Sequence, residues 1–136
     1  RSLGASEVIC AKDEKEVVKR LKSMTSGGPD VAMECIGNPV TVKQAIDSIR
    51  RGGRAVVVGF CDKPVELNAG RIMFFEQEVV GSLGCRPVDF PRILALAAAG
   101  RVQVKGVVTG RFTLDRIEDA LNELRSGRGL RNIVVP

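Results

Sequence analysis

Histidine is absent from all 136 residues, tryptophan and tyrosine are absent too, and phenylalanine alone makes up the 4% of aromatic residues. Four cysteines, at positions 10, 35, 61 and 85, stand singly, each near the end of an apolar run. Tetrahedral zinc draws on closely spaced Cys or His pairs, and catalytic zinc nearly always takes an imidazole, so these residues hold no metal site of their own. Reduced, partly buried thiols in a cytoplasmic protein are the expectation. No uncharged apolar stretch is longer than a strand, which excludes a membrane-spanning helix. The 21 Lys and Arg are scattered among 16 acids, a net charge of +5, with no stacking rings between them. That pattern is a solvated surface and gives no sign of a nucleic-acid partner. The opening RSLGASEVIC begins with Arg and lacks the basic, apolar and small-residue order of a signal peptide, so the chain reads as an internal piece of something longer.

What is present is ordinary for one globular chain: 44% hydrophobic and 27% charged residues, with no repeat or low-complexity segment. Short apolar runs alternate with segments of helical period. SEVIC (6–10) reads as a strand, and DEKEVVKRLKSM (13–24) as a helix with Asp13 as N-cap, Glu16 at capping-box spacing, and Val17, Leu21 and Met24 inside. DVAMECI (30–36) is nearly continuous apolar sequence, as in a strand covered on both faces. Asn38 then caps a helix with Pro39 in its first position; Val42, Ala45, Ile46 and Ile49 form its inner stripe, and Gly52 or Gly53 supplies the left-handed terminus. RAVVVGF (54–60) is the strongest strand. RIMFFEQ reads as a short helix and EVVGSL as a strand; a helix runs from Pro87 to about Ala99, closed by Gly100. GVVTGRF and NIVV read as extended, flanking a helix with Ile117, Ala120, Leu121 and Leu124 inside. Asp115, Glu118 and Asp119 are first-turn charges favoured by the helix dipole, not general acids. The alternation predicts an α/β fold built from βαβ units around a parallel sheet.

In such a sheet every strand ends at the same edge, and ligands bind outside those carboxyl ends. Gly37, Gly59 and Gly84 fall at or just past three such ends. Each alone could serve only a tight turn. Together they suggest bare backbone under an extended ligand, which they do not name.

The segments GGPDVAMECIGNPVTVKQAIDSIRRGGRAVVVGF, EVVGSLG and RIEDALNELRSGRGLRNIVVP, in this order and spacing, closely resemble the later part of the zinc-type, medium-chain alcohol dehydrogenases. The resemblance covers essentially the whole chain. It implies a GroES-like catalytic domain, a Rossmann domain that binds NAD or NADP, and hydride transfer between an alcohol and nicotinamide. By the same resemblance, Cys35, Ile36 and Gly37 lie against the adenosine half of the cofactor. Val58, Gly59 and Phe60 lie beside the nicotinamide; Ser82, Leu83 and Gly84 fix its carboxamide; Arg131 reaches the pyrophosphate. Without the resemblance, Arg131 reads equally well as an exposed arginine before a terminal strand.

The departures are as informative. The G-x-G-x-x-G turn is absent, and so is the acidic residue that follows it by about 20 positions and selects the ribose hydroxyl. The zinc ligands and proton relay of the family belong to an N-terminal region not found here. The fold implied is an incomplete Rossmann-like parallel sheet with flanking helices, lacking the first two strands. Residues 1–84 would be the partial dinucleotide-binding domain, and 85–136 the helices and strands that return to the catalytic domain. Strand 6–10, deprived of its neighbour, would cross directly beside strand 30–36, pair with another copy or fray. Unpaired edges favour a homo-oligomer. The isolated chain is expected to be inactive; the alternatives are a zinc-free quinone or enoyl reductase of the same superfamily, or a binding module without catalysis.

Overall fold

Parallel pairing of three apolar runs organises residues Val8–Gly84, one of two compact units in the computed structural model, which describes all 136 residues. The elements of this unit are α1 (Val17–Met24), β1 (Val31–Glu34), α2 (Pro39–Ser48), β2 (Arg54–Val57), α3 (Ala69–Phe74) and β3 (Glu78–Gly81). The strands lie in the order β1-β2-β3, both pairings parallel, with Glu34, Val57 and Gly81 level at the carboxyl end. The β-branched run in β2 takes the centre, where it is paired on both sides, and its Ala55 is fully buried.

Helix α2 lies on this sheet because its apolar stripe recurs at helical spacing. Val42, Ile46 and Ile49 join Ala55 in the core, and Ala32, Val57 and Val65 pack against them. The start of α2 is set as its sequence requires: Asn38 Oδ1 accepts the Val40 N–H at 2.9 Å, and Pro39 occupies the first turn. Its far end is closed by the buried Gln77, whose amide donates to the carbonyls of Ile46 (3.4 Å) and Ile49 (3.3 Å).

Several local expectations are corrected. Ser6–Cys10 forms no strand, because a ladder needs a partner and it has none; the outer edge of β1 is likewise unpaired. Helix α1 begins at Val17, not Asp13, with Glu16 as a cap whose side chain makes no capping bond. The preceding turn closes when Asp13 and Glu14 donate their N–H groups to the Cys10 carbonyl and Glu16 donates its own to the Glu14 carboxylate at 2.8 Å. Val17, Leu21 and Met24 are only half-buried. Strand β1 is not covered on both faces: Ala32 packs toward the core, whereas Val31 and Met33, on alternate positions of an edge strand, stay exposed. Gly52 is left-handed, φ 65°, but it serves the turn into β2, in which Gly53 donates to Arg50; the residue ending α2 is Ile49, in extended backbone.

The second unit comprises Arg1–Glu7 and Cys85–Pro136, so the first seven residues group with the end of the chain. It contains α4 (Asp89–Ala98), β4 (Val108–Thr113), α5 (Ile117–Arg125) and β5 (Arg131–Val135). Helix α4 starts at Asp89, two residues after Pro87, and Gly100 follows it at φ 69°. Strands β4 and β5 pair in parallel as a sheet of their own, so the strands form two sheets and not one. Asn132 ties β5 to α5 by donating to the Ala120 carbonyl at 2.9 Å. Of the four apolar residues expected inside α5, only Ala120 is buried, since a two-stranded ribbon is too narrow to cover a helix face; Ile117, Leu121 and Leu124 are exposed.

Candidate functional site

Three strands that end level deliver three segments to one rim. Cys35–Gly37 leaves β1, Val58–Phe60 leaves β2 and Ser82–Gly84 follows β3. The main chain knits them together: Val58 and Gly59 donate to the Glu34 carbonyl at 2.8 and 3.0 Å, and Ser82 donates to Val57 at 2.9 Å. Nine of the ten residues singled out in the sequence thus share this edge of the sheet. The tenth, Arg131, belongs to the other unit, where it opens β5 and its N–H lies 3.3 Å from Thr109 Oγ1.

The glycines act differently from the expectation. A Cβ on Gly37, whose φ is +83°, would fall on the Phe60 carbonyl, and one on Gly59 would fall on the Gly37 nitrogen. The two residues are needed because neighbouring backbones touch there, whatever lies above them. Gly84 differs again: φ is +53° and nothing lies near its missing side chain. What the rim shows to the outside is apolar. Ile36 is 75% exposed, Phe60 89%, and Leu83 fully so, while Val58 is 41% exposed. Cys35 is exposed, against the expectation of a partly buried thiol, as are Cys10 and Cys85; Cys61 alone is intermediate.

Below the rim sits a residue that the sequence reading passed over. Glu34 is buried at the end of β1, and its carboxylate accepts from the N–H groups of Ile36 (2.9 Å) and Gly37 (2.9 Å) and from the Thr41 hydroxyl (2.7 Å). Burial by itself would raise its pKa. Hydrogen bonds from Thr41 and from the backbone of Gly37, Ile36 and Asn38 outweigh that and hold it below the ordinary 4.5. The signal was available: one carboxylate inside an otherwise apolar run, closely followed by the Asn-Pro start of a helix.

This network decides which parts of a ligand the rim can hold. In the turn before α2 the Ile36 and Gly37 N–H groups are taken by Glu34, and in the helix's first turn Pro39 has no N–H and the Val40 N–H is taken by the Asn38 side chain, which leaves little there for a phosphate. The N–H groups of Phe60, Leu83 and Gly84 bond to nothing else in the chain. Beside exposed Ile36, Phe60 and Leu83, they suit a flat ring bearing an amide. Zinc does not fit: no group of three or more Cys, Asp or Glu side chains is placed to hold a metal ion.

Residues 1–99 match the family model described as zinc-binding dehydrogenase. The (R,R)-butanediol dehydrogenase of Bacillus subtilis is 34% identical over 98% of the chain. The chain belongs to the zinc-binding dehydrogenases. A sorbitol dehydrogenase of Halalkalibacterium halodurans is 33% identical over 91% of the chain. Among solved structures, the Bacillus subtilis 2R,3R-butanediol dehydrogenase superposes with a TM-score of 0.84 at 32% identity over 94% of the chain. A zinc-binding-domain alcohol dehydrogenase from Burkholderia ambifaria gives 0.89 at 26% identity over 99%. The incomplete Rossmann-like fold of this zinc-binding dehydrogenase therefore has close counterparts in its family. The chain spans only 36% and 38% of the length of the two curated relatives.

Proposed function

We propose that the rim of the Val8–Gly84 unit is the nicotinamide-side portion of an NAD or NADP site, in a zinc-dependent alcohol dehydrogenase of which this chain is one part. The observation that carries this reading is the shared rim: three successive parallel strands end level, with exposed apolar side chains and free N–H groups just beyond them. In this proposal residues 1–84 hold the cofactor and 85–136 return to a catalytic domain. Cys35, Ile36 and Gly37 face the adenosine half; Val58, Gly59 and Phe60 flank the nicotinamide; Ser82, Leu83 and Gly84 bind the carboxamide through the backbone.

A bound nicotinamide dinucleotide supplies the hydride acceptor for the alcohol carbon. The residues present orient and shield: Ile36, Phe60 and Leu83 offer apolar surface that excludes water, and the free N–H groups fix an amide. They provide no ligand set for zinc, so the isolated chain does not turn over alcohol. The same reading makes the protein cytoplasmic and a homo-oligomer, with the outer edge of β3, where Val79 and Val80 are exposed, as the self-pairing edge. No helix is long and apolar enough to cross a membrane.

Calorimetric titration of the 136-residue chain and of the complete gene product with NAD, NADP and adenosine monophosphate tests the proposal. The complete product should bind a dinucleotide and oxidise alcohols with zinc present. The short chain should bind weakly or not at all, since its sequence lacks the glycine-rich turn that cradles the pyrophosphate. Submicromolar dinucleotide affinity in the short chain contradicts this account, and a zinc-free complete product that reduces activated double bonds replaces it with the reductase alternative.

A further inference from the structure

We propose that Glu34 is a positioning residue for cofactor binding: it anchors two of the three rim segments, those that leave β1 and β2, and its carboxylate sets their mutual placement. The inference rests on the rim being a dinucleotide site. Its geometry stands apart from that reading. The Glu34 side chain holds the β1-to-α2 turn through Ile36, Gly37 and Thr41, with Oε2 lying 3.1 Å from the Gly37 nitrogen as a second acceptor. Its main-chain carbonyl holds the end of β2 through Val58 and Gly59.

The two segments have no slack against each other. Gly37 backs onto the Phe60 carbonyl, and Gly59 backs onto Ile36 and Gly37, so a shift of the turn is transmitted directly to Phe60. A carboxylate suits the task because it accepts at both oxygens and donates at neither, whereas an amide would set N–H against the Gly37 N–H. Removing the acceptor leaves the half-buried Ile36 and Gly37 N–H groups without their partner, while the Thr41 hydroxyl keeps only the Asn38 carbonyl at 3.0 Å, so the turn loosens. A loosened turn shifts Ile36 relative to Phe60. Glu34 touches no ligand in this account; it acts through the residues it holds.

The test compares Glu34→Ala, Glu34→Gln and Ile46→Val in the complete gene product. Ile46 is buried in the same helix–sheet layer, away from the rim, and its variant serves as the control for lost stability alone. Two quantities are read: amide exchange at Ile36 and Gly37, and the Kd for NADH by fluorescence titration. Glu34→Ala should raise exchange at both amides at least tenfold and weaken NADH about tenfold or more. Glu34→Gln, retaining one acceptor oxygen, should recover part of both, and Ile46→Val should change neither. If Glu34→Ala does not fold, Glu34→Gln against Ile46→Val still decides. Faster exchange with unchanged Kd overturns the positioning role while leaving the dinucleotide site standing. Equal loss of affinity in Ile46→Val and Glu34→Gln also overturns it. A wild-type protein with no affinity for NADH or NADPH refutes the site, and the inference with it.

Discussion

The unit Val8–Gly84 buries Val42, Ile46, Ile49 and Ala55 in one cluster, whereas the unit containing Cys85–Pro136 buries Ala120 alone among its apolar residues. Both contain helices with a clear apolar stripe. The difference lies in what the helix meets: α2 packs on β1 and β2 of a three-stranded sheet and also against α1, whereas α5 packs on the β4–β5 ribbon with no comparable α-helix contact. Periodicity tells which face of a helix seeks cover, and the neighbouring elements decide how much cover exists. The better-covered unit is also the one with the built rim, where β2 is paired on both sides and all three strands end level.

The largest effect should separate the two units by their cores. Ile46→Ala should cost about 2–5 kcal/mol, as for other fully buried isoleucines. Leu121→Ala, at a site 37% exposed, should cost about 1 kcal/mol or less. Urea denaturation of the two variants checks this, and equal losses would mean that the second unit has a core of its own weight.

Glycine substitutions sharpen the contrast within the first unit. Gly59→Ala places a methyl group on neighbouring backbone that cannot yield, and should cost about 1–3 kcal/mol. Gly84→Ala meets open space and bears only the left-handed backbone, roughly 1 kcal/mol. Thermal melts of both should rank in that order.

Acid should act first where carboxylates are best held. Because the folded pKa of Glu34 lies below 4.5, its ionised form contributes stability in full above that pH, and the contribution fades as pH falls through the lowered value. Unfolding free energy measured from pH 7 to pH 3 should therefore drop less steeply in Glu34→Gln than in wild type. Asp89, lowered by hydrogen bonds from the Arg86 side chain and backbone, and Asp115, lowered by the Thr113 side chain, have the same sign in the other unit. Both are exposed to solvent screening, so Asp89→Asn should alter the same profile least, and less still at 1 M salt.

Much of the first unit was legible in the sequence. The Asn-Pro start of α2 and its buried stripe follow from capping chemistry and period, the alternation gives parallel strands, and their order came only from the family resemblance. The end of α1 nearest Asp13 was not, because the spacing of Asp13 and Glu16 suits a capping box while Glu14 and the Cys10 carbonyl close a competing turn. The exposure of Val31 and Met33 was hidden for a different reason: a continuous apolar run says nothing about whether anything packs on each face of the strand. At the rim, glycine positions were readable as sites of close approach, but their partner was the adjacent backbone. Glu34 escaped notice since buried carboxylates are rare, and only the structure shows the donors that make this one stable.

The central claim is that the carboxyl rim of β1, β2 and β3 receives the nicotinamide end of a dinucleotide. Titrating the isotope-labelled complete gene product with NADH and following amide and methyl resonances tests it most directly. Saturable shifts should concentrate at Ile36, Gly37, Phe60, Leu83 and Gly84. Shifts confined to the opposite edge, around Arg50, Arg54 and Glu78, would contradict it.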